Sequence, residues 1–124
     1  MRTVIDTGLA PLNQPFSWMV KTPGLFFTAH GPVTADGKIA DADIEAQAKL
    51  TFDNLRLAVE AAGRTMDDVA QVLIYMIDAS HMPIIDAVYR TYFAMPYPNR
   101  SSVVVAGFVH PAMKIEIVAY VNAQ

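Results

Sequence analysis

Arg100 and Glu116 each stand alone among apolar, mostly β-branched residues near the C-terminus. Side chains of an extended chain alternate between faces, so Arg100 shares a face with Ser102, Val104, Ala106 and Phe108, and Glu116 shares one with Lys114, Val118 and Tyr120. A solitary charge in such surroundings is costly to desolvate unless it gains a partner or a ligand. One arrangement is a structural ion pair between the two. The other is a site: the planar guanidinium of Arg100 matches a carboxylate in bidentate fashion, and Glu116 orients a water, taking its proton as that water attacks an electrophilic carbon. Partial burial would raise the pKa of Glu116 toward the range useful for this work.

Other candidates are fewer. His30, beside Gly31 at a strand end, either lines a pocket and exchanges protons near neutrality or is an ordinary buried, hydrogen-bonded ring. His110 falls in a turn, exposed or at a pocket rim, and His81 is expected on the surface. The three histidines show no metal-ligand spacing, so no metal site is expected. Phe16 and Trp18, with Phe26 and Phe27, form either an aromatic wall for a pocket or part of a core or subunit interface. Ser101 and Ser102 lack an adjacent base or a strand-turn-helix elbow, which argues against a serine hydrolase. With no cysteine in the chain, thiolate nucleophiles, disulfides and Cys-ligated zinc are excluded.

The elements that must carry these residues follow from periodicity. Residues 2–5 form a short strand, and 6–15 a loop marked by Gly8, Pro11, Asn13 and Pro15. Residues 16–21 and 25–30 form a hairpin around Thr22-Pro23-Gly24. The spacing of Ile44, Ala48, Phe52, Leu55, Val59 and Ala62 predicts a helix over 43–62, capped by Asp41 or Asp43 and stopped by Gly63. Residues 69–77 are too short for an independent helix and rich in β-branched side chains, hence a central strand. Asp78 or Ser80 caps a second helix running to about Phe93, which Pro96-Tyr97-Pro98 ends. Two strands, 100–108 and 113–122, then form a hairpin around the breaker Val109-His110-Pro111-Ala112. The order β-β-β-α-β-α-β-β implies an α+β fold: a mixed sheet with both helices on one face, in one domain spanning 1–124. The other face must also be covered.

That last segment resembles the signature of the Rid family of reactive intermediate deaminases, also called YjgF. The matching residues are Pro98, Arg100, Val103, Val105, Ala106, Pro111, Lys114, Ile115, Glu116, Ile117 and Ala119, and 46–48, 53–55 and 60–63 resemble the family's long helix. The resemblance implies a homotrimer with a chorismate-mutase-like barrel arrangement and sites at subunit interfaces. It also implies hydrolysis of small 2-imino or 2-enamino acids to 2-oxo acids and ammonia without a cofactor. In that role Arg100 holds the substrate carboxylate, the main chain at Ser102 contacts the imine nitrogen and Glu116 activates water. Phe16 stands where the family often has Tyr, His30 and Gly31 replace a small residue and Gln, and the segment from Arg100 to Glu116 is one residue longer than usual. Two rivals stay open: a non-catalytic binder of carboxylate metabolites, and a deaminase for a larger, aminomuconate-like substrate accommodated by Phe16, Trp18 and His30.

Composition bounds the partners. A chain of 124 residues that is 53% hydrophobic and 17% charged buries most of its apolar surface and leaves some for an oligomer interface. No apolar run spans a membrane and no secretory signal opens the sequence, so a soluble, cytoplasmic protein is expected. A net charge of −3 with 9 scattered basic residues offers no footprint for nucleic acid.

Overall fold

A computed structural model describes residues 1–124. Strands β1 (Thr3–Val4), β2 (Met19–Thr22) and β3 (Leu25–His30) precede helix α1 (Ile44–Ala61), and β4 (Val69–Met76) precedes α2 (Met82–Tyr92). Strands β5 (Asn99–Val104) and β6 (Ile115–Asn122) close the chain. All eight elements are those expected from the sequence, in the expected order. They form one mixed six-stranded sheet in the order β1-β2-β3-β6-β4-β5, in which only the β4–β5 pair is parallel.

Helix α1 starts where Asp43 caps it: the Asp43 carboxylate accepts from the Ala46 amide at 2.9 Å, satisfying one of the free N–H groups of the first turn. Past the helix, Gly63 takes φ +76°, a left-handed conformation that glycine adopts without a Cβ penalty. The stripe Ile44, Ala48, Phe52, Leu55 and Val59 is buried against one sheet face. Phe52 is fully enclosed, with the rings of Tyr89, Tyr92 and Phe93 packed about it at 5.5–6.2 Å between centroids. Such edge and tilted contacts lock α1 to α2 over the core. The sheet contributes Val72, Ile74, Met76, Ile115, Ile117 and Ala119 to the same layer.

One expected strand pairing fails. Strands β5 and β6 do not form a hairpin, because β4 lies between them. A parallel β4–α2–β5 crossover places β5 at the sheet edge, and β6 returns through residues 105–114 to pair antiparallel with both β3 and β4. Consecutive apolar strands around a Pro turn look like a hairpin locally, but β6 gains more by burying itself between two strands than by pairing at the edge.

The sheet face away from the helices carries Leu25, Phe27, Leu73, Tyr75, Val103, Val118 and Tyr120, and no helix covers it. Phe27 and Tyr120 meet there edge to face at 5.4 Å. No helix is long and apolar enough to cross a membrane.

Candidate active site

Glu116 lies on β6 between the fully buried Ile115 and Ile117, pairs with Tyr75 of β4, and therefore points to the face away from the helices. Half-buried, it makes no hydrogen bond or ion pair within the chain, and desolvation holds its pKa above the ordinary glutamate value. It borders a cavity of about 900 Å³ whose wall also includes Phe16, Trp18, His30, Lys38, His110 and Met113. An unpartnered carboxylate at a cavity wall, with its pKa raised by desolvation, is placed to take part in proton transfer.

Two buried amides of α1 hold this wall in place. Gln47 donates through Nε2 to the carbonyls of Ala40 and Ala112 at 2.9 and 2.7 Å, and its Oε1 accepts from the Lys114 amide at 2.8 Å. Asn54 donates to the carbonyls of Gly31 and Val33 at 3.1 and 2.9 Å. The loop 105–114 and the end of β3 are thus tied to one rigid helix. The backbone at Gly31 lies close to this loop: a Cβ there would sit 3.0 Å from the Met113 methyl, which would have to shift to make room. The N-terminal loop is fastened by Trp18, whose Nε1 donates to the Ala10 carbonyl at 2.9 Å.

His30 is enclosed, its ring stacked on Trp18 at 5.7 Å, and burial pushes its pKa down to about 3. Its tautomer follows from its neighbours. The Thr28 hydroxyl donates to the Trp18 carbonyl at 2.9 Å, so at its 2.6 Å contact with His30 Nε2 it must accept. The proton therefore sits on Nε2, and Nδ1 is a buried acceptor with no partner in the chain. His30 is a neutral, enclosed ring behind the cavity wall. Of the aromatics, Phe16 and Trp18 form part of that wall with centroids 4.7 Å apart, Phe26 belongs to the core, and Phe27 lies on the open sheet face.

Arg100 points the other way. Its strand partner is Val72, whose side chain is in the core, so Arg100 and Ser102 face the helices while Glu116 faces away. The intrachain Arg100–Glu116 ion pair considered from the sequence does not form. Arg100 instead donates from Nη2 to Asp86 Oδ1 at 2.6 Å and from Nε to Ser102 Oγ at 3.0 Å, with its Cζ 4.7 Å from the centre of the Tyr89 ring. Arg100, Asp86, Tyr89 and Tyr97 line a second cavity of about 340 Å³.

Within one chain, then, Glu116, Phe16 and His30 come together, with His110 exposed at the same cavity, and Arg100 with Ser102 stands apart. Asp86 was not singled out in the sequence, because an aspartate on an amphipathic helix reads as a solvated face. Gln47 and Asn54 were equally silent, although each interrupts the buried side of α1 with a polar group. His81 is partly buried rather than on the surface, at the start of α2.

Comparison with known proteins bears on the whole chain. The family model described as Endoribonuclease L-PSP, the YjgF/Rid family, matches residues 7–123. The chain belongs to the Rid family. A RutC family protein of Pyrococcus horikoshii is 32% identical over 97% of this chain and 98% of its own. A Dermatophagoides farinae protein named 2-iminobutanoate/2-iminopropanoate deaminase is 31% identical over 85% of this chain and 84% of its own. Among solved structures, Escherichia coli TdcF with bound serine superposes with a TM-score of 0.88 at 31% identity, covering 98% of this chain and 99% of that one. The fold and the family are therefore those that the signature around Arg100 and Glu116 implies.

Proposed function

We propose that this Rid family chain hydrolyses small 2-imino and 2-enamino acids to 2-oxo acids and ammonia, without a cofactor, in the cytoplasm. The observation that carries the reading is Glu116: a half-buried carboxylate with no partner in its own chain, at the wall of a large cavity, with its pKa raised by desolvation. A protonated imine is already electrophilic at C2. Water held by Glu116 attacks that carbon as Glu116 takes its proton, giving a carbinolamine; Glu116 returns that proton to the nitrogen, and ammonia leaves as the C2 hydroxyl gives its proton back to Glu116 and closes to the carbonyl of the 2-oxo acid. His30, neutral and enclosed, would back the aromatic wall through its stack on Trp18, and Phe16 would wall the apolar side of the substrate.

Arg100 supplies the carboxylate anchor, with the main chain at Ser102 on edge strand β5 contacting the imine nitrogen. Since Arg100 and Glu116 point to opposite faces of one sheet, a complete site requires two copies. The uncovered apolar sheet face, with Leu25, Phe27, Val103 and Tyr120, supports assembly into a homotrimer whose sites lie between subunits. The deaminase relative and the serine-bound TdcF support a small carboxylate ligand. The acidic net charge of −3 supports this reading over an RNA substrate.

A second reading has its own observation. The cavity of about 900 Å³ lies in the range that encloses drug-sized ligands, and the Trp18–His30 stack lines it. That suits a larger, aminomuconate-like substrate. A third, in which the family site binds a carboxylate metabolite without turnover, predicts heat stabilisation by 2-oxo acids that depends on Arg100.

The test is release of ammonia and 2-oxobutanoate from freshly generated 2-iminobutanoate. Wild type should accelerate it, Glu116→Gln should lose turnover while retaining carboxylate binding, and Arg100→Ala should lose both. No acceleration by folded, oligomeric wild type overturns the small-imine reading.

A further inference from the structure

Resting on Arg100 as the carboxylate anchor, we propose that Asp86 makes the site selective for acids that carry a nitrogen cation beside the carboxylate, and against the corresponding 2-oxo acids. The argument begins with a donor inventory. A guanidinium has five N–H groups. In Arg100, Nε is engaged by Ser102 Oγ at 3.0 Å, and Nη2 by Asp86 Oδ1 at 2.6 Å and Met82 Sδ at 3.1 Å. Only Nη1 is left. Both forks that could hold a carboxylate in bidentate fashion share a nitrogen with these contacts, so as long as Asp86 keeps its contact the nitrogen open to an incoming carboxylate is Nη1.

That carboxylate also arrives beside a negative charge. The Asp86 and Arg100 side chains are 31% and 21% exposed, so water screens the repulsion less than it would on an open surface. Asp86 Oδ2 accepts nothing from the protein and belongs to a residue lining the cavity of about 340 Å³ that Arg100 shares. A ligand with a cationic nitrogen on the carbon next to its carboxylate answers both halves of the pair. Its carboxylate takes Nη1, and its N–H group donates to Asp86 Oδ2.

A 2-iminium acid has this pattern. The 2-oxo acid does not, because its carbonyl oxygen offers only lone pairs to the Asp86 carboxylate. One side chain thus favours the substrate of the proposed reaction and loosens its product. Asp86 is a specificity residue acting through charge at the anchor.

The test uses two unreactive acids with the same carbon skeleton, 2-aminobutanoate and 2-oxobutanoate, titrated calorimetrically into wild type, Asp86→Asn and Arg100→Ala in the same oligomeric state. Asparagine keeps an oxygen for Arg100 Nη2 and removes the charge. Wild type should bind 2-aminobutanoate more tightly, and Asp86→Asn should shift the ratio of the two Kd values toward 2-oxobutanoate by about tenfold, the worth of one charge-assisted hydrogen bond. An unchanged ratio in Asp86→Asn, with Arg100→Ala abolishing both, overturns the role of Asp86 and leaves the anchor standing. Wild-type binding of both acids by Arg100→Ala overturns the anchor and this inference together.

Discussion

Replacing Glu116 with glutamine should lower activity and raise stability at once. Ile115 and Ile117 flank it, and no side chain or backbone donor of its own chain compensates the half-buried carboxylate. Full burial of an unpaired charge costs several kcal/mol after relaxation, but the cavity side of Glu116 remains wet. A fraction of about 1 kcal/mol is therefore expected back when the charge is removed at constant shape. For a chain of this size that corresponds to a rise in Tm of roughly 4 °C.

The pH dependence has a definite sign. Desolvation raises the folded-state pKa of Glu116 above its ordinary 4.5, so the folded protein binds this proton more tightly than the unfolded chain does. Its stability contribution is present in acid and is lost as pH rises through the window that begins near the ordinary value. Glu116→Gln should accordingly be more stable than wild type at neutral pH and indistinguishable from it in acid, where both side chains are neutral. Differential scanning calorimetry across that range, at matched oligomeric state, reads the difference. Imine hydrolysis by the same variant should fall by about 10²–10⁴-fold, the usual worth of a positioned general base. A variant that loses stability at neutral pH would refute the reasoning, since it would show Glu116 to be the stabilising half of an ion pair, formed with another copy.

Two further outcomes test the positioning of the site. Gln47→Ala removes three buried hydrogen bonds that join α1 to residues 40, 112 and 114 and should cost about 2–4 kcal/mol; hydrogen exchange should show faster opening of 105–114, and protection equal to wild type would argue against the clamp. His30, held near 3 by burial, should show no NMR titration between about pH 5 and 8, and its stability contribution should be complete above its ordinary 6.5 and decline as pH falls below that; an inflection within the interval would contradict the enclosed, neutral ring.

Much of the architecture was legible locally. The apolar stripe from Ile44 to Val59, the Asp43 cap and Gly63 define α1 without tertiary information, because helical periodicity and cap chemistry depend on near neighbours alone. The turn at Pro23-Gly24 is local in the same way. The candidate chemistry was legible too: a lone arginine and a lone glutamate in apolar strands stand out because burying an unpaired charge is expensive.

Strand pairing was not legible in that way. Whether β6 pairs with β5 or enters between β3 and β4 depends on the parallel β4–α2–β5 crossover and on how much of β6 each arrangement buries. That choice puts Arg100 and Glu116 on opposite faces and delivers Arg100 to Asp86, 14 residues away on a helix. By itself the sequence determined the elements, their order and the residues able to do chemistry, since these rest on periodicity and desolvation cost along the chain. Only the tertiary structure decided which of those residues meet, because contacts between distant segments are set by packing of the whole sheet against its helices.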